Sequence, residues 1–211
     1  MSAVYKRVRT STPGASGRRA VFLDRDGVLI EDSGYVSRPD QIEHIAGSAE
    51  AVARLNGAGF VVVVVTNQSG VGRGYYSWDE FCEVQAAIEA RLTERGAWLD
   101  GVWACGHHED DHRSRKPNPG MLEDAAEELG LRLDVSWMVG DRVSDVEAGL
   151  RAGLAGVIHV QTGAGPSVHE EVSEMAKTHA SGARILQCEN LAQAVGLILG
   201  KPQQTRKETE R

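Results

Sequence analysis

Asp24 and Asp26 stand one residue apart, directly after the apolar run Ala20-Val21-Phe22-Leu23 and directly before Gly27. Such a run reads as a buried strand, and carboxylates at its carboxyl end lie where open α/β sheets place their ligands. If the extended backbone persists, period two points both side chains the same way. Like charges held together need a proton, a cation or a positive side chain between them. The pattern therefore points to a metal-assisted reaction centre; the plainer reading of an isolated Asp-x-Asp-Gly is a turn that closes a strand. Three later segments carry complementary groups. Thr66-Asn67-Gln68-Ser69-Gly70-Val71-Gly72-Arg73-Gly74 supplies a hydroxyl, amides and glycines whose N–H groups can turn toward an anion. Arg115-Lys116 fixes two cations just ahead of a helix N-terminus, itself a favourable place for an anion. Gly140-Asp141 and Asp145 bring two more carboxylates to a strand end entering a helix. Each segment alone has an ordinary structural reading. Their common position, at or beside the carboxyl ends of predicted strands, argues for one site.

The elements that must position these residues alternate between strand and helix, the pattern of a parallel sheet with crossover helices on both faces. Predicted strands cover Ala20 to Leu23, Phe60 to Val65, Gly101 to Ala104, Ser136 to Val139, Gly156 to Val160 and Arg184 to Leu186. The valine-rich run before Thr66 is apolar throughout, as a central strand covered on both faces requires. Predicted helices run from Ser48 to about Ala58, from the capping box Ser77-x-x-Glu80 to about Arg95, from Asn118-Pro119 to Leu129, from after Asp141 to Ala152, and onward from Asn190. Phe81, Val84, Ile88 and Leu92 form a helical stripe suited to core packing. The expected fold is thus α/β, a Rossmann-like parallel sheet over residues 20–200. Residues 1–19 read as a disordered basic extension without the apolar segment of a secretory signal, and residues 201–211 as a polar tail.

Composition narrows the function. A net charge of −7 disfavours a general nucleic-acid or anionic-membrane binder. No apolar run approaches the roughly 20 residues that span a bilayer. Three cysteines, Cys82, Cys105 and Cys188, make no disulfide framework and fit a reducing cytoplasm.

The order Asp24-x-Asp26-Gly27, Thr66, Lys116, Gly140-Asp141-x-x-x-Asp145 resembles the motifs of the haloacid dehalogenase (HAD) superfamily of phosphotransferases over about Ala20 to Gly165. The resemblance implies a HAD-like fold and a phosphatase in which Asp24 is the nucleophile that forms an aspartyl-phosphate. Asp26 would be the general acid and base. Mg²⁺ would sit between Asp24, the backbone carbonyl of Asp26 and Asp141, with Asp145 as a further direct ligand or in the outer sphere. Thr66 and Lys116 would hold the phosphoryl oxygens. The gap between the first motif and Thr66 is too short for a large cap domain, so short loops must recognise the substrate, and a monomer is expected.

Within the superfamily, Gly34-Tyr35-Val36, the Asn67-Gln-Ser-Gly loop with Arg73, Cys105-x-His107-His108 and Arg115-Lys-Pro-x-Pro-Gly-Met121 are similar to the family of D-glycero-D-manno-heptose 1,7-bisphosphate phosphatases. Histidinol-phosphate phosphatases share much of the pattern. The heptose resemblance implies removal of a C7 phosphate, with Asn67, Arg73 and Arg115 as substrate contacts, the two arginines serving the phosphate that is not cleaved. The alternatives are histidinol phosphate or another small sugar phosphate, a DNA 3′-phosphatase, and a binding protein that keeps the fold without turnover. One departure stands out. Members of this group often carry zinc on Cys-x-His followed by Cys-x-Cys, but here the second half reads His112-Arg113-Ser114. Serine is a poor zinc ligand. The expectation is a loop held by hydrogen bonds; if zinc is bound, the ligands are Cys105, His107 and His112, with His108 or an acid from Glu109, Asp110 and Asp111 as the fourth.

Overall fold

The computed structural model of the protein describes residues 4–9, 17–109, 112–179 and 182–200. The elements in chain order are β1 (Val4–Val8), β2 (Ala20–Leu23), α1 (Ser48–Gly57), β3 (Val61–Asn67), α2 (Ser69–Gly72), α3 (Trp78–Glu94), β4 (Gly101–Cys105), α4 (Gly120–Leu129), β5 (Trp137–Gly140), α5 (Val143–Arg151), β6 (Gly156–Val160), α6 (Gly165–Thr178), β7 (Arg184–Cys188) and α7 (Leu191–Ile198). The strands form one sheet in the order β1-β4-β3-β2-β5-β6-β7. All pairs are parallel except β1 with β4. The chain therefore winds outward from β2 through β3 and β4, then crosses to β5 and winds the other way. That reversal opens a crevice at the carboxyl ends of β2, β3 and β5, the place where open α/β sheets bind ligands.

Strand periodicity divides the core in two. Val21, Leu23, Val62, Val64 and Val139 face α1, α3 and α7, while Phe22, Val61, Val63, Val65 and Met138 face α4, α5 and α6. The valines of β3 are buried on both faces, as their composition predicts. Ser77 caps α3 by accepting from the Glu80 N–H at 3.2 Å, and Glu80 returns the bond to the Ser77 N–H at 2.7 Å. Among the described residues, no helix is long and apolar enough to cross a membrane.

Besides the short α2 within the glycine-rich loop, two elements differ from the sequence expectation. Residues 4–8, assigned there to a disordered extension, form the edge strand β1, paired from Val4 with Cys105 to Val8 with Gly101. Their charges hid the strand: Lys6 pairs with Glu128 at 2.7 Å, and Arg7 pairs with Glu89 on α3. Helix α6, between β6 and β7, carries the crossover that the expected list of helices lacked; it buries only Gly165 and Val172, too little to leave a periodic apolar signal. The proposed tail 201–211 lies outside the described residues, as do 1–3 and 10–16 of the extension.

Tyr5 ties β1 down, stacking 5.9 Å from Trp78 and edge-on at 5.3 Å from Phe81. Aromatic pairs contribute about 0.5–1.5 kcal/mol each beyond area burial. Tyr5→Ala is expected to destabilise the protein by about 1–3 kcal/mol in urea unfolding; an unchanged midpoint would show that β1 adds nothing to stability.

Candidate active site

Asp24 follows β2, and its N–H donates to the Val139 carbonyl of β5 at 3.0 Å, so the sheet itself sets its position. The backbone then leaves the extended form: the Arg25 carbonyl accepts from the Leu29 N–H at 2.9 Å, and Gly27 takes φ of 82°. Asp24 and Asp26 thus line the same cavity without following a strand's period, and they have different partners. Asp24 Oδ2 lies 3.0 Å from Lys116 Nζ. Asp26 accepts from Arg25 Nε at 3.0 Å, Arg25 Nη2 at 2.9 Å and Gln68 Nε2 at 2.9 Å.

Lys116 comes from the loop between β4 and α4. Its ammonium is buried and also donates to Asp145 Oδ1 at 2.6 Å and to the Val65 carbonyl at 2.8 Å, which accounts for all three of its protons. Asn67 fixes the Lys116 backbone from both sides, donating to its carbonyl at 2.9 Å and accepting from its N–H at 3.0 Å. Expected as a substrate contact, Asn67 spends its amide on placing Lys116, although it does line the cavity.

Asp141, after β5, is fully buried. One oxygen accepts from the Ala164 N–H at 2.7 Å, and the other, Oδ1, is buried without a hydrogen-bond partner. Close approach here depends on glycine: a Cβ on Gly27 would fall 2.3 Å from Asp141 Oδ2, and one on Gly163, 2.4 Å. His159 is buried with Nε2 3.1 Å from the Asp141 carbonyl. Asp145 uses both oxygens, one on Lys116 and the other on the Arg142 N–H at 3.0 Å.

The electrostatics have two causes, burial and an excess of negative charge. Asp24, Asp141 and Asp145 each bring a ligand atom within 4.8 Å of the others, against a single ammonium. Burial lifts the pKa of Asp24, and Asp145 adds to the rise although Lys116 opposes it. Burial, then the charges of Asp24 and Asp145, push Asp141 up to about 8. Burial pulls Lys116 down, but Asp145 and Asp24 outweigh it and hold its pKa above the ordinary lysine value. The donor set fits a hard divalent cation: buried carboxylates, one with an orphaned oxygen, of the type Mg²⁺ takes a few at a time. Asp141 Oδ1 is the oxygen without a partner, while Asp24 accepts from the Arg25 N–H at 2.7 Å and faces Lys116 at 3.0 Å. Asp24, Asp141 and Asp145 are together the carboxylates close enough to share an ion.

A cavity of about 560 Å³ opens over these groups, lined by Asp24, Asp26, Thr66, Arg115, Lys116 and the rim residue Tyr35, among others. Of the expected substrate contacts, Arg115 lines it and donates to the His107 carbonyl at 3.1 Å, whereas Arg73 is exposed and is not among the lining residues. The Cys105–His112 loop shows a stacked histidine pair, His107 on His112 with ring centroids 3.7 Å apart. His112 Nδ1 lies 3.2 Å from the Ser114 N–H and 3.9 Å from Cys105 Sγ. Among the described residues, the group of donors close enough to hold a metal is Asp24, Asp141 and Asp145, not this loop; Asp110 and Asp111 lie outside the described residues. The sequence alone gives Arg25 no role and marks Gln68 only as part of the glycine-rich loop, with no sign that its side chain turns inward.

A family model described as HAD-hydrolase-like matches residues 113–192. A Pasteurella multocida protein named D-glycero-beta-D-manno-heptose-1,7-bisphosphate 7-phosphatase is 44% identical over 153 residues, 69% of this chain and 83% of that protein. A Burkholderia mallei protein named D-glycero-alpha-D-manno-heptose-1,7-bisphosphate 7-phosphatase is 40% identical over 144 residues, 64% of this chain and 76% of that protein. The crystal structure of D,D-heptose 1,7-bisphosphate phosphatase from B. bronchiseptica, complexed with magnesium and phosphate, matches with a TM-score of 0.77 at 34% identity, covering 86% of this chain and 98% of that one.

Because Asp141 has a folded pKa of about 8 against an ordinary 3.8, the metal-free folded state keeps a proton that the unfolded chain has released. Its contribution to stability is therefore undiminished below the ordinary value and falls as pH rises toward 8. A cation replaces that proton. Mg²⁺ is expected to raise the unfolding midpoint more at pH 8 than at pH 5. D141N should lose most of this response and lose less metal-free stability at the higher pH. Equal Mg²⁺ responses in wild type and D141N would contradict the assignment.

Proposed function

The chain belongs to the HAD-like family of heptose 1,7-bisphosphate 7-phosphatases, and we propose that it removes the C7 phosphate of D-glycero-D-manno-heptose 1,7-bisphosphate through an aspartyl-phosphate on Asp24. The observation that carries this reading is the buried Asp24 carboxylate held 3.0 Å from Lys116 at the sheet's switch point, beneath a cavity with Thr66 at its floor. The similarity to heptose bisphosphate phosphatases supports the substrate.

Asp24 attacks phosphorus with one carboxylate oxygen, and the bond from phosphorus to the C7 oxygen breaks. Asp26 gives a proton to the departing sugar oxygen. It then takes a proton from the water that attacks the aspartyl-phosphate; the acyl phosphate bond breaks, inorganic phosphate leaves and Asp24 is restored. The Thr66 hydroxyl holds a phosphoryl oxygen. The Lys116 ammonium, whose protons go to Asp24, Asp145 and the Val65 carbonyl, acts through its charge at short range. Charge developing on the phosphoryl group thus meets groups already in place. Asp24, Asp141 and the Asp26 carbonyl would hold Mg²⁺, which when bound offsets phosphoryl charge as a Lewis acid. Arg115, which lines the cavity, would pair with the phosphate that stays on the sugar. Zinc is not part of this reading; metal analysis of protein purified without chelator tests it, and a stoichiometric zinc signal would overturn it.

D24N is expected to lower kcat by more than about 10³-fold with little change in the thermal midpoint. D26N should lose about 10²–10⁴-fold and accumulate phosphoenzyme. Undiminished turnover by D24N would rule out the covalent route. Parallel assays of the α- and β-bisphosphates and histidinol phosphate, in Mg²⁺, test the substrate: a heptose bisphosphate is expected to have the highest kcat/KM, and a preference for histidinol phosphate would contradict the assignment.

A further inference from the structure

Gln68 is buried, and every hydrogen-bonding position of its amide is occupied by a group of the site. Nε2 donates one proton to Asp26 Oδ2 at 2.9 Å and the other to Thr66 Oγ1 at 2.8 Å. Oε1 accepts from Arg25 Nη2 at 3.2 Å and from the Tyr76 hydroxyl. The amide can be placed only this way round, because a guanidinium has no acceptor to offer Nε2. Arg25 is buried as well; its Nε and Nη2 fork onto Asp26, and its guanidinium lies 5.3 Å over the Phe81 ring. Burial pushes the Tyr76 phenol up to about 12, which keeps it a donor at neutral pH. Gly70 lets the ring of Tyr76 come close: a Cβ there would sit 2.2 Å from Tyr76 Cε1. The two groups that Gln68 joins come from different strands, Thr66 within β3 and Asp26 beyond β2.

We propose that Gln68 is a positioning residue for phosphoryl transfer, fixing the proton-transfer carboxylate of Asp26 relative to the phosphate-holding hydroxyl of Thr66, with Arg25 and Tyr76 locking its orientation. The inference rests on the roles given to Asp26 and Thr66 above and adds the group that sets their separation. Loose placement of a proton donor costs rate because the acid must meet the sugar oxygen as its bond to phosphorus breaks. The structural fold of the loop does not need this amide to point inward, since Val71 N–H and Gly72 N–H of the loop are held by the Gln68 and Gly106 carbonyls instead.

The test uses a leaving group that needs no acid. kcat/KM reports steps up to departure of the leaving group; a sugar alkoxide needs a proton at that step and p-nitrophenolate does not. Q68M, of similar length but without donors, is expected to lose about 10²-fold in kcat/KM on heptose 1,7-bisphosphate and no more than about tenfold on p-nitrophenyl phosphate. D26N, measured alongside, should show the same selectivity in larger measure. Y76F, which removes only the hydroxyl behind Gln68, should show it in smaller measure and carries the test if Q68M does not fold. Equal losses on the two substrates in Q68M or Y76F, or no loss in either, would overturn the inference. A wild-type protein inactive on the heptose bisphosphate, or a D26N variant without leaving-group selectivity, would instead overturn the functional reading.

Discussion

The site depends on one buried ammonium. Lys116 Nζ is shared by Asp24, Asp145 and the Val65 carbonyl, which joins the ends of β2 and β3 to the first turn of α5. Burying a charge costs several kcal/mol unless its partners are well placed, and removing one partner of such a group is worse than never burying it. The fold meets that condition from several directions. Asn67 clamps the Lys116 backbone, and the β2–β5 ladder sets Asp24. The Arg142 N–H, which opens α5, orients Asp145.

One ammonium among three carboxylates leaves the site short of positive charge, and that shortage is what lets it bind ligands. Burial first, and the neighbouring carboxylates with it, raise the pKa of Asp24 and Asp141; at Lys116 burial opposes the rise and the carboxylates outweigh it. A cation held by these carboxylates would replace the protons they otherwise keep and would offset the negative charge that a phosphoryl group meets at Asp24. The same account explains why the site is built from buried groups: in a water-excluding environment, fixed charges and dipoles act strongly on developing phosphoryl charge and need no rearrangement during reaction.

Much of this was legible in the sequence because sheet topology converts strand ends into neighbours. Asp24, Thr66 and Asp141 are far apart in the chain, yet each ends or follows an apolar strand, so their convergence followed from the fold class. What was not legible has physical causes. Val4–Val8 makes its apolar contacts through Tyr5 while its charges pair with α4 and α3, so the segment reads as a basic arm. Helix α6 buries too few residues to show a period. Arg25 and Gln68 have polar side chains that composition assigns to solvent; only coordinates reveal that they are buried against each other and against Asp26. The turn at Arg25 also escaped the period-two reading, which assumed an extended backbone past Leu23.

The central claim is that the carboxylate beside Lys116 becomes covalently phosphorylated. Quenching the enzyme during turnover of heptose 1,7-bisphosphate, reducing it with borohydride and mapping peptides by mass spectrometry tests this directly, because an aspartyl-phosphate is reduced to homoserine. Homoserine at position 24, dependent on substrate, is the result the structure calls for. Turnover with unmodified Asp24 in every quenched sample, or homoserine at another aspartate, would contradict it.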